Sequence, residues 1–245
     1  MNSDGEWRHW GAEDPLYAVA AWKGKEKSSS SPWTSQEFLE LGNSDMDDVL
    51  HHWRHYGIES GRCIEVGCGS GRMTGGLLKG FSSVMALDVS QDQISKAMSH
   101  HGDKLDRIEF RVVATPEIPA PDNSCTGMFS CHVFQHFSEF NGIVSYLRDA
   151  FRKLTSGGTV CFHIPVKGAH LKACQSDLLL GLRNLYAKTG RLLGRYKVWE
   201  YHRYPAERIL AMLGEIGYRD IEMRIFPMRS NGDFHSYFFA RKRSG

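Results

Sequence analysis

The chain has 245 residues, 41% hydrophobic and 24% charged, with 30 basic against 28 acidic residues and a net charge of +2. That length suffices for one large domain with a substantial core, and the near balance of charge argues against a general nucleic-acid binder while leaving room for a local basic patch. No apolar run approaches the roughly 20 residues of a membrane span. The opening MNSDGEWRHW lacks the basic-then-apolar layout of a secretory signal, so a cytoplasmic location is expected.

Residues 1–60 read as an N-terminal helical extension rich in tryptophan (Trp7, Trp10, Trp22, Trp33, Trp53). Gly24–Pro32, with its run of serines, reads as a loop. Thr34 with Glu37 forms a capping box that opens a helix through Phe38 and Leu41, and Ser44 with Asp47 forms a second, followed by Met46, Val49, Leu50 and Trp53 at helical spacing. From residue 61 short strands and helices alternate. Strands are expected at Cys63–Val66, Val84–Leu87, Ile108–Val113, Met128–His132 and Thr159–Ile164. Helices are expected around Gln93–Met98 and over 140–154, the latter closed by Gly157–Gly158. Pro205 suits the first turn of a last helix with Ile209, Met212, Leu213 and Ile216 on its apolar face and Gly217 at its end, before strands at Ile221–Phe226 and Ser236–Ala240.

This alternation predicts one α/β unit spanning 61–245: a Rossmann-like, doubly wound, mostly parallel seven-stranded sheet ending in an antiparallel hairpin. Six cysteines, at 63, 68, 125, 131, 161 and 174, form no CxxC pair, so neither a zinc ribbon nor a disulfide framework is indicated. Cys63, Cys131 and Cys161 lie in strand-like runs and read as small core residues.

The sharpest signal is Glu65-Val66-Gly67-Cys68-Gly69-Ser70-Gly71, between a strand and a helix. Glycines let the backbone turn tightly and approach a ligand closely. In such sheets this turn lies at a strand's carboxyl end, where ligands bind. Asp88 ends the next strand, 21 residues after Gly67, where a carboxylate can accept both ribose hydroxyls of a nucleoside. The spacing is GxGxG, one residue short of the dinucleotide GxGxxG. Glu65 would repel a pyrophosphate but attract an ammonium group.

EVGCGSG, ALDVS, PDNS with FSCHVFQHF, and LTSGG together resemble the class I S-adenosylmethionine-dependent methyltransferases in order and spacing over about residues 60–165. Tyr204–Gly217 and Phe234–Lys242 match the family's last helix and hairpin more loosely, and Asp14-Pro15-Leu16-Tyr17 resembles a bacterial branch that modifies small molecules and glycans. The resemblance implies that Gly67, Cys68, Gly69 and Gly71 wrap the methionine part of S-adenosylmethionine. It implies that Glu65 meets the amino group, Asp88 holds the ribose and Val89 lies against the adenine. The acid often found near the adenine amine is replaced by Ala114-Thr115, and the usual Ser-Phe-Asp before the fourth strand by Ser124-Cys125-Thr126.

In the family the end of the fourth strand, here with Cys131 and His132, faces the transferable methyl group. Methyl transfer depends on an acceptor held close and in line, and a hydroxyl acceptor must lose its proton, which an imidazole can take. His136 and His132 are therefore the candidate catalytic residues, His136 first. A metal on His132, His136 and His163 lacks an accompanying acid cluster, and no metal is expected. The insert 165–204, unusually long for a connection, carries Lys167, Lys172, Arg183, Lys188, Arg191, Arg195, Lys197 and Arg203 against Asp177 and Glu200. Leu178, Leu179, Leu182 and Leu185 mark an amphipathic helix in it. As a lid over the acceptor site it would suit an acidic or glycosylated small molecule.

The expected reaction is transfer to a small-molecule hydroxyl, giving S-adenosylhomocysteine as product. N-methylation, an NAD(P)-dependent oxidoreductase and a non-catalytic partner protein on the same fold stay open. Nucleic acid is disfavoured by the missing Asp/Asn-Pro-Pro-Tyr/Phe motif at the fourth strand, no membrane association is expected, and the oligomeric state is not legible.

Overall fold

Side chains of a strand alternate between its two faces, and here both faces are apolar. On one side Ile64, Val66, Met85, Leu87, Met128 and Phe162 pack with Ile143, Leu147, Ile209 and Leu213. On the other, Cys63, Val84, Ala86, Phe129 and Cys161 pack with Met46, Leu50, Trp53, Leu77 and Ile94. Such two-sided burial marks a sheet covered by helices on both faces, and each fully buried Leu, Ile or Phe contributes roughly 1.5–3 kcal/mol. The computed structural model describes residues 4–115, 117–168, 176–196, 199–227 and 233–243.

The elements are α1 (Asp4–Glu13), α2 (Pro15–Val19), α3 (Ser35–Tyr56), β1 (Arg62–Val66), α4 (Thr74–Leu77), β2 (Ser83–Asp88), α5 (Gln91–His100), β3 (Ile108–Val112), β4 (Cys125–Ser130), α6 (Phe140–Lys153), β5 (Leu154–Lys167), α7 (Asp177–Leu192), β6 (Tyr204–Pro205), α8 (Ala206–Ile216), β7 (Tyr218–Pro227) and β8 (Phe234–Lys242). The sheet order is β3-β2-β1-β4-β5-β8-β7, with the two-residue β6 beside β5. β1 to β5 run parallel, and β8 lies antiparallel between β5 and β7. Strand order reverses between β1 and β4, so a crevice opens at their carboxyl ends. No described helix is long and apolar enough to cross a membrane.

Several boundaries differ from the sequence reading. Thr34 and Glu37 do form a reciprocal capping box. Ser44 and Asp47 open no second helix, because α3 runs unbroken for 22 residues. Its apolar stripe Phe38, Met46, Val49, Leu50 and Trp53 is continuous, and Gly42 lets it press on the Arg72 carbonyl, which an added Cβ would meet at 1.8 Å. Trp53 is fully buried and donates its indole N–H to Thr159 Oγ1 at 2.9 Å. Gly157–Gly158 does not close α6, which passes directly into β5 at Leu154. Gly157 instead takes φ +82 where the register of β4 with β5 shifts. β4 ends at Ser130, so Cys131 and His132 leave the strand and Cys131 is only half-buried. Pro205 caps α8 from outside, while Gly217 ends it in the left-handed conformation.

α7 forms where Leu178, Leu179, Leu182 and Leu185 repeat, but those leucines face outward, Leu178 being 74% exposed, and the helix buries Leu180 and Ala187 instead. The inner side of this helix meets polar and ion-paired groups, so its apolar periodicity alone did not identify the buried side. Lys172, Cys174, Lys197 and Val198 lie outside the described residues.

Candidate active site

Past Val66 the chain reverses over the end of β2. The N–H groups of Gly67 and Cys68 both donate to Leu87 O, at 2.8 and 2.9 Å. Gly67, Gly69 and Gly71 have φ of +74, +53 and +80, a region L side chains rarely adopt. A Cβ at Gly67 would also lie 2.2 Å from Val133, and one at Gly69 2.5 Å from Val19. Two residues the sequence reading missed support the turn: His100 Nδ1 bonds Ser70 O and His101 Nε2 bonds Gly71 O, each at 2.8 Å. The N-terminal extension closes over it. Pro15 O accepts from Ser70 Oγ (3.1 Å) and Gln93 Nε2 (3.2 Å), and Arg8 Nε donates to Val89 O (3.2 Å). The only sequence signal for His100 and His101 was a histidine pair at the end of the helix after β2.

The Asp88 carboxylate binds backbone on both oxygens: Oδ2 accepts from Gly69 N and Oδ1 from Ser90 N, each at 2.9 Å. The Val89 N–H also acts on this carboxylate, and since a carboxylate offers about four lone-pair sites, acceptor capacity remains for a ligand. Glu65 is buried just behind the turn, with Oε2 lacking any hydrogen-bond partner. Burial pushes its carboxyl up to about 7. An orphaned buried carboxylate oxygen beside a cradle that admits no Cβ, with spare acceptor capacity on Asp88, fits an amino-acid ammonium joined to a ribose.

These groups border a cavity of about 1450 Å³. A single small ligand typically occupies a site of roughly 300–1,000 Å³, so this cavity has room for two molecules. Gly67, Gly69, Asp88, Val89, Ala114, Thr115, Cys131, His132 and His136 all line it. Glu65, Cys68 and Gly71 stand one layer behind. Tyr146 Oη bonds the Thr115 carbonyl at 3.4 Å, fixing that edge.

At the end of β4, His132 adopts φ +60, uncommon for a residue with a side chain and concentrated at functional sites. Its backbone N–H donates to His163 Nδ1 at 3.3 Å. The proton of His163 therefore sits on Nε2, facing His235 Nδ1 at 2.8 Å, and His235 Nε2 in turn meets Tyr201 Oη at 2.9 Å. The His132 ring packs 4.2 Å from that of His163, close to the Gln135 side chain. Burial holds it neutral, down to about 3, helped by the nearby Arg72 charge.

His136 is engaged on both nitrogens. Nδ1 donates to Glu200 O at 2.6 Å, which leaves Nε2 to accept from Gln135 Nε2 at 3.0 Å. Burial lowers it to about 3 as well. Trp7 packs on its ring at 4.8 Å.

The three-residue grouping able to hold a metal, among the described residues, is Cys131, His132 and His163, with ligand atoms within 4.8 Å of one another, and does not include His136. Cys131 Sγ lies 3.3 Å from Tyr237 Oη, and both His163 nitrogens are bonded as above. The charge of Arg72 reaches Cys131 and His132, opposing a cation between them.

The lid's positive charge is largely answered within the protein. Lys167 and Arg203 both bind Asp177, and Arg203 also binds Asp233 at 2.9 Å. Buried Glu200 gathers Arg191, Lys188 and His202. Arg191 lies 3.8 Å from Glu6 of α1, so the two covers over the cavity meet.

Residues 64–162 match the family described as a methyltransferase domain. No curated protein matches the sequence. Among solved structures, an S-adenosylmethionine-dependent methyltransferase from Methanosarcina mazei aligns with a TM-score of 0.60 at 16% identity, over 78% of this chain and 97% of that one. Another from Aquifex aeolicus aligns at 0.56 and 17% identity, over 86% and 99%. Phosphoethanolamine N-methyltransferase 2 from Haemonchus contortus, in complex with phosphomonomethylethanolamine and S-adenosylhomocysteine, aligns at 0.62 and 15% identity, over 86% of this chain and 61% of that one. At these identities the likeness shows the shared fold.

Proposed function

We propose that this chain, a class I S-adenosylmethionine-dependent methyltransferase, methylates a hydroxyl oxygen of a small-molecule acceptor, with His132 receiving the hydroxyl proton. The observation that carries this reading is the placement of His132. Its ring lines the cavity just past the carboxyl end of β4, with the Gln135 side chain as its hydrogen-bonding neighbour, which leaves the second ring nitrogen for a ligand. A proton acceptor needs a free lone pair in reach of substrate. His136 has both nitrogens committed, so its part is to pin the lid through Glu200 rather than to take a proton.

S-adenosylmethionine, when bound, would supply an electrophilic methyl group on a positively charged sulfur, with a neutral thioether as the leaving group. Gly67, Gly69 and Gly71 would cradle the amino-acid portion, Glu65 would neutralise its ammonium, Asp88 would take the ribose hydroxyls with its remaining acceptor capacity, and Val89, Ala114 and Thr115 would border the adenine. Asp4 and Trp7 of the N-terminal helix and Arg183, Trp199 and Tyr201 of the insert border the cavity on the side away from the sheet's core. An imidazole held near 3 is a weak base. Much of the acceleration must therefore come from holding the acceptor in place, and a hydroxyl of phenol-like acidity, near 10, suits His132 better than an aliphatic alcohol.

The same weakness favours a second reading, transfer to a neutral amine, which needs less proton removal; one structural neighbour is an N-methyltransferase. The test is transfer from methyl-labelled S-adenosylmethionine to a panel of phenols, sugars, hydroxy acids and amines, beginning with acidic and glycosylated metabolites. Labelled phenolic or other hydroxyl products support the proposal; labelled amines alone would assign the second reading.

A further inference from the structure

Among the basic residues of the lid, Arg183 stands apart. Lys167, Lys188, Arg191 and Arg203 are each within ion-pair distance of a carboxylate. Arg183, on α7, lines the cavity with its guanidinium 5.7 Å over the Tyr201 ring, and has no carboxylate within ion-pair distance among the described residues. Asp233 offsets its charge only at longer range, and burial pulls its proton affinity down. A partly desolvated cation without a counter-charge is costly unless something else supplies the anion.

A second side chain of the insert borders the same space. Trp199, from the same insert, lines the cavity, and its indole N–H is buried without a hydrogen-bond partner. Trp199 is fixed by Trp10 at 5.2 Å and Trp7 at 6.2 Å, the ring that also packs on His136. The Arg183 charge is felt at His136. Both side chains therefore border the cavity near His136.

We infer that the acceptor carries an anionic group, a carboxylate or a phosphate, bound by the Arg183 guanidinium with the Trp199 N–H as a neutral second donor. This rests on the acceptor-site reading above. It also revises the broader expectation that the whole basic insert receives an acidic acceptor. Arg203 is locked between Asp177 and Asp233, and among the described cations of the insert Arg183 is the one that lines the cavity.

The test uses the full chain saturated with S-adenosylhomocysteine and titrated by calorimetry at low ionic strength with inorganic phosphate and, separately, malonate. One of the two should bind, and which one tells a phosphorylated from a carboxylated acceptor. Arg183→Gln should weaken that binding about tenfold or more, as expected for a lost charge-assisted hydrogen bond. Arg183→Lys should keep part of it. Arg195→Gln, an exposed change on the same insert, should leave it intact. Absence of binding by both anions, or equal binding by wild type and Arg183→Gln, would overturn the inference. The anions are also titrated into cofactor-free protein, so that failure to bind S-adenosylhomocysteine counts against the cofactor reading and leaves the anion result standing.

Discussion

The Asp88 carboxylate accepts the Gly69 N–H at 2.9 Å, so the group placed to hold a ribose also holds the glycine turn in shape. Asp88→Asn should retain the fold while turning one acceptor oxygen into a donor that faces a backbone N–H. S-adenosylhomocysteine affinity should fall roughly 10- to 100-fold, the range expected for lost hydrogen bonds to a charged group. Calorimetry together with a thermal melt separates that loss from unfolding.

Gly69→Ala tests the cradle itself. The position has φ +53, and the new methyl would lie 2.5 Å from Val19 Cγ2 on α2. Either the turn or the N-terminal cover must shift. Left-handed backbone costs an L residue about 1–2 kcal/mol, before any clash. A lowered melting temperature with cofactor-product binding reduced at least tenfold is expected. A double variant with Val19→Ala should recover part of the binding, since it removes the clash but not the backbone strain.

Much of this was legible in the sequence for a physical reason. Strands buried on both faces read as continuous apolar runs, and the GxGxG turn and Asp88 are local signals whose meaning depends on a chain neighbourhood of about 25 residues. What depends on distant parts of the chain was not legible. The Ser44–Asp47 pattern is a valid cap, but packing against Arg72 overrode it and kept α3 whole. The outward face of α7 could not be told from an inward one, because periodicity reports a stripe and not its partner. In the sequence His136 reads ahead of His132, four residues earlier, as the catalytic candidate. Only the contact of His136 with Glu200, 64 residues away, separates their roles. The same holds for the neutralised lid, whose acids Asp177, Glu200 and Asp233 meet its cations only in the folded chain.

Replacing the two histidines should give different kinetic signatures once an acceptor is in hand. His132→Ala should lower kcat by roughly 10²–10⁴ with S-adenosylhomocysteine affinity unchanged. His136→Ala should loosen the lid and raise the acceptor KM more than it lowers kcat. Both imidazoles are held near 3 by burial, so each is neutral throughout ordinary assay conditions. The pH–rate profile should therefore show no histidine limb between about pH 5 and 8. A limb near 6.5 that vanishes in His132→Ala would contradict the buried, neutral assignment.

Glu65 should make cofactor binding depend on pH. Burial, with the Asp88 charge, holds its carboxyl up at about 7, against the opposing pull of Arg72. An acid whose folded value is raised is protonated in the fold where the unfolded chain has already ionised, so its contribution to stability declines as pH rises from about 4.5 to 7. Ligand binding runs the other way, because an ammonium favours the ionised carboxylate. Affinity for S-adenosylhomocysteine should rise about tenfold between pH 6 and 8, with proton release detectable as a buffer-dependent enthalpy at pH 6.5. Glu65→Gln should abolish that proton release.

The most direct measurement is calorimetric titration of the folded protein with S-adenosylhomocysteine, alongside NAD and the Asp88→Ala variant. The account predicts micromolar binding of S-adenosylhomocysteine, no binding of NAD, and loss of S-adenosylhomocysteine binding in Asp88→Ala. A folded wild-type protein that ignores S-adenosylhomocysteine, or that binds NAD in its place, would contradict the assignment of Glu65, the glycine turn and Asp88 to this cofactor.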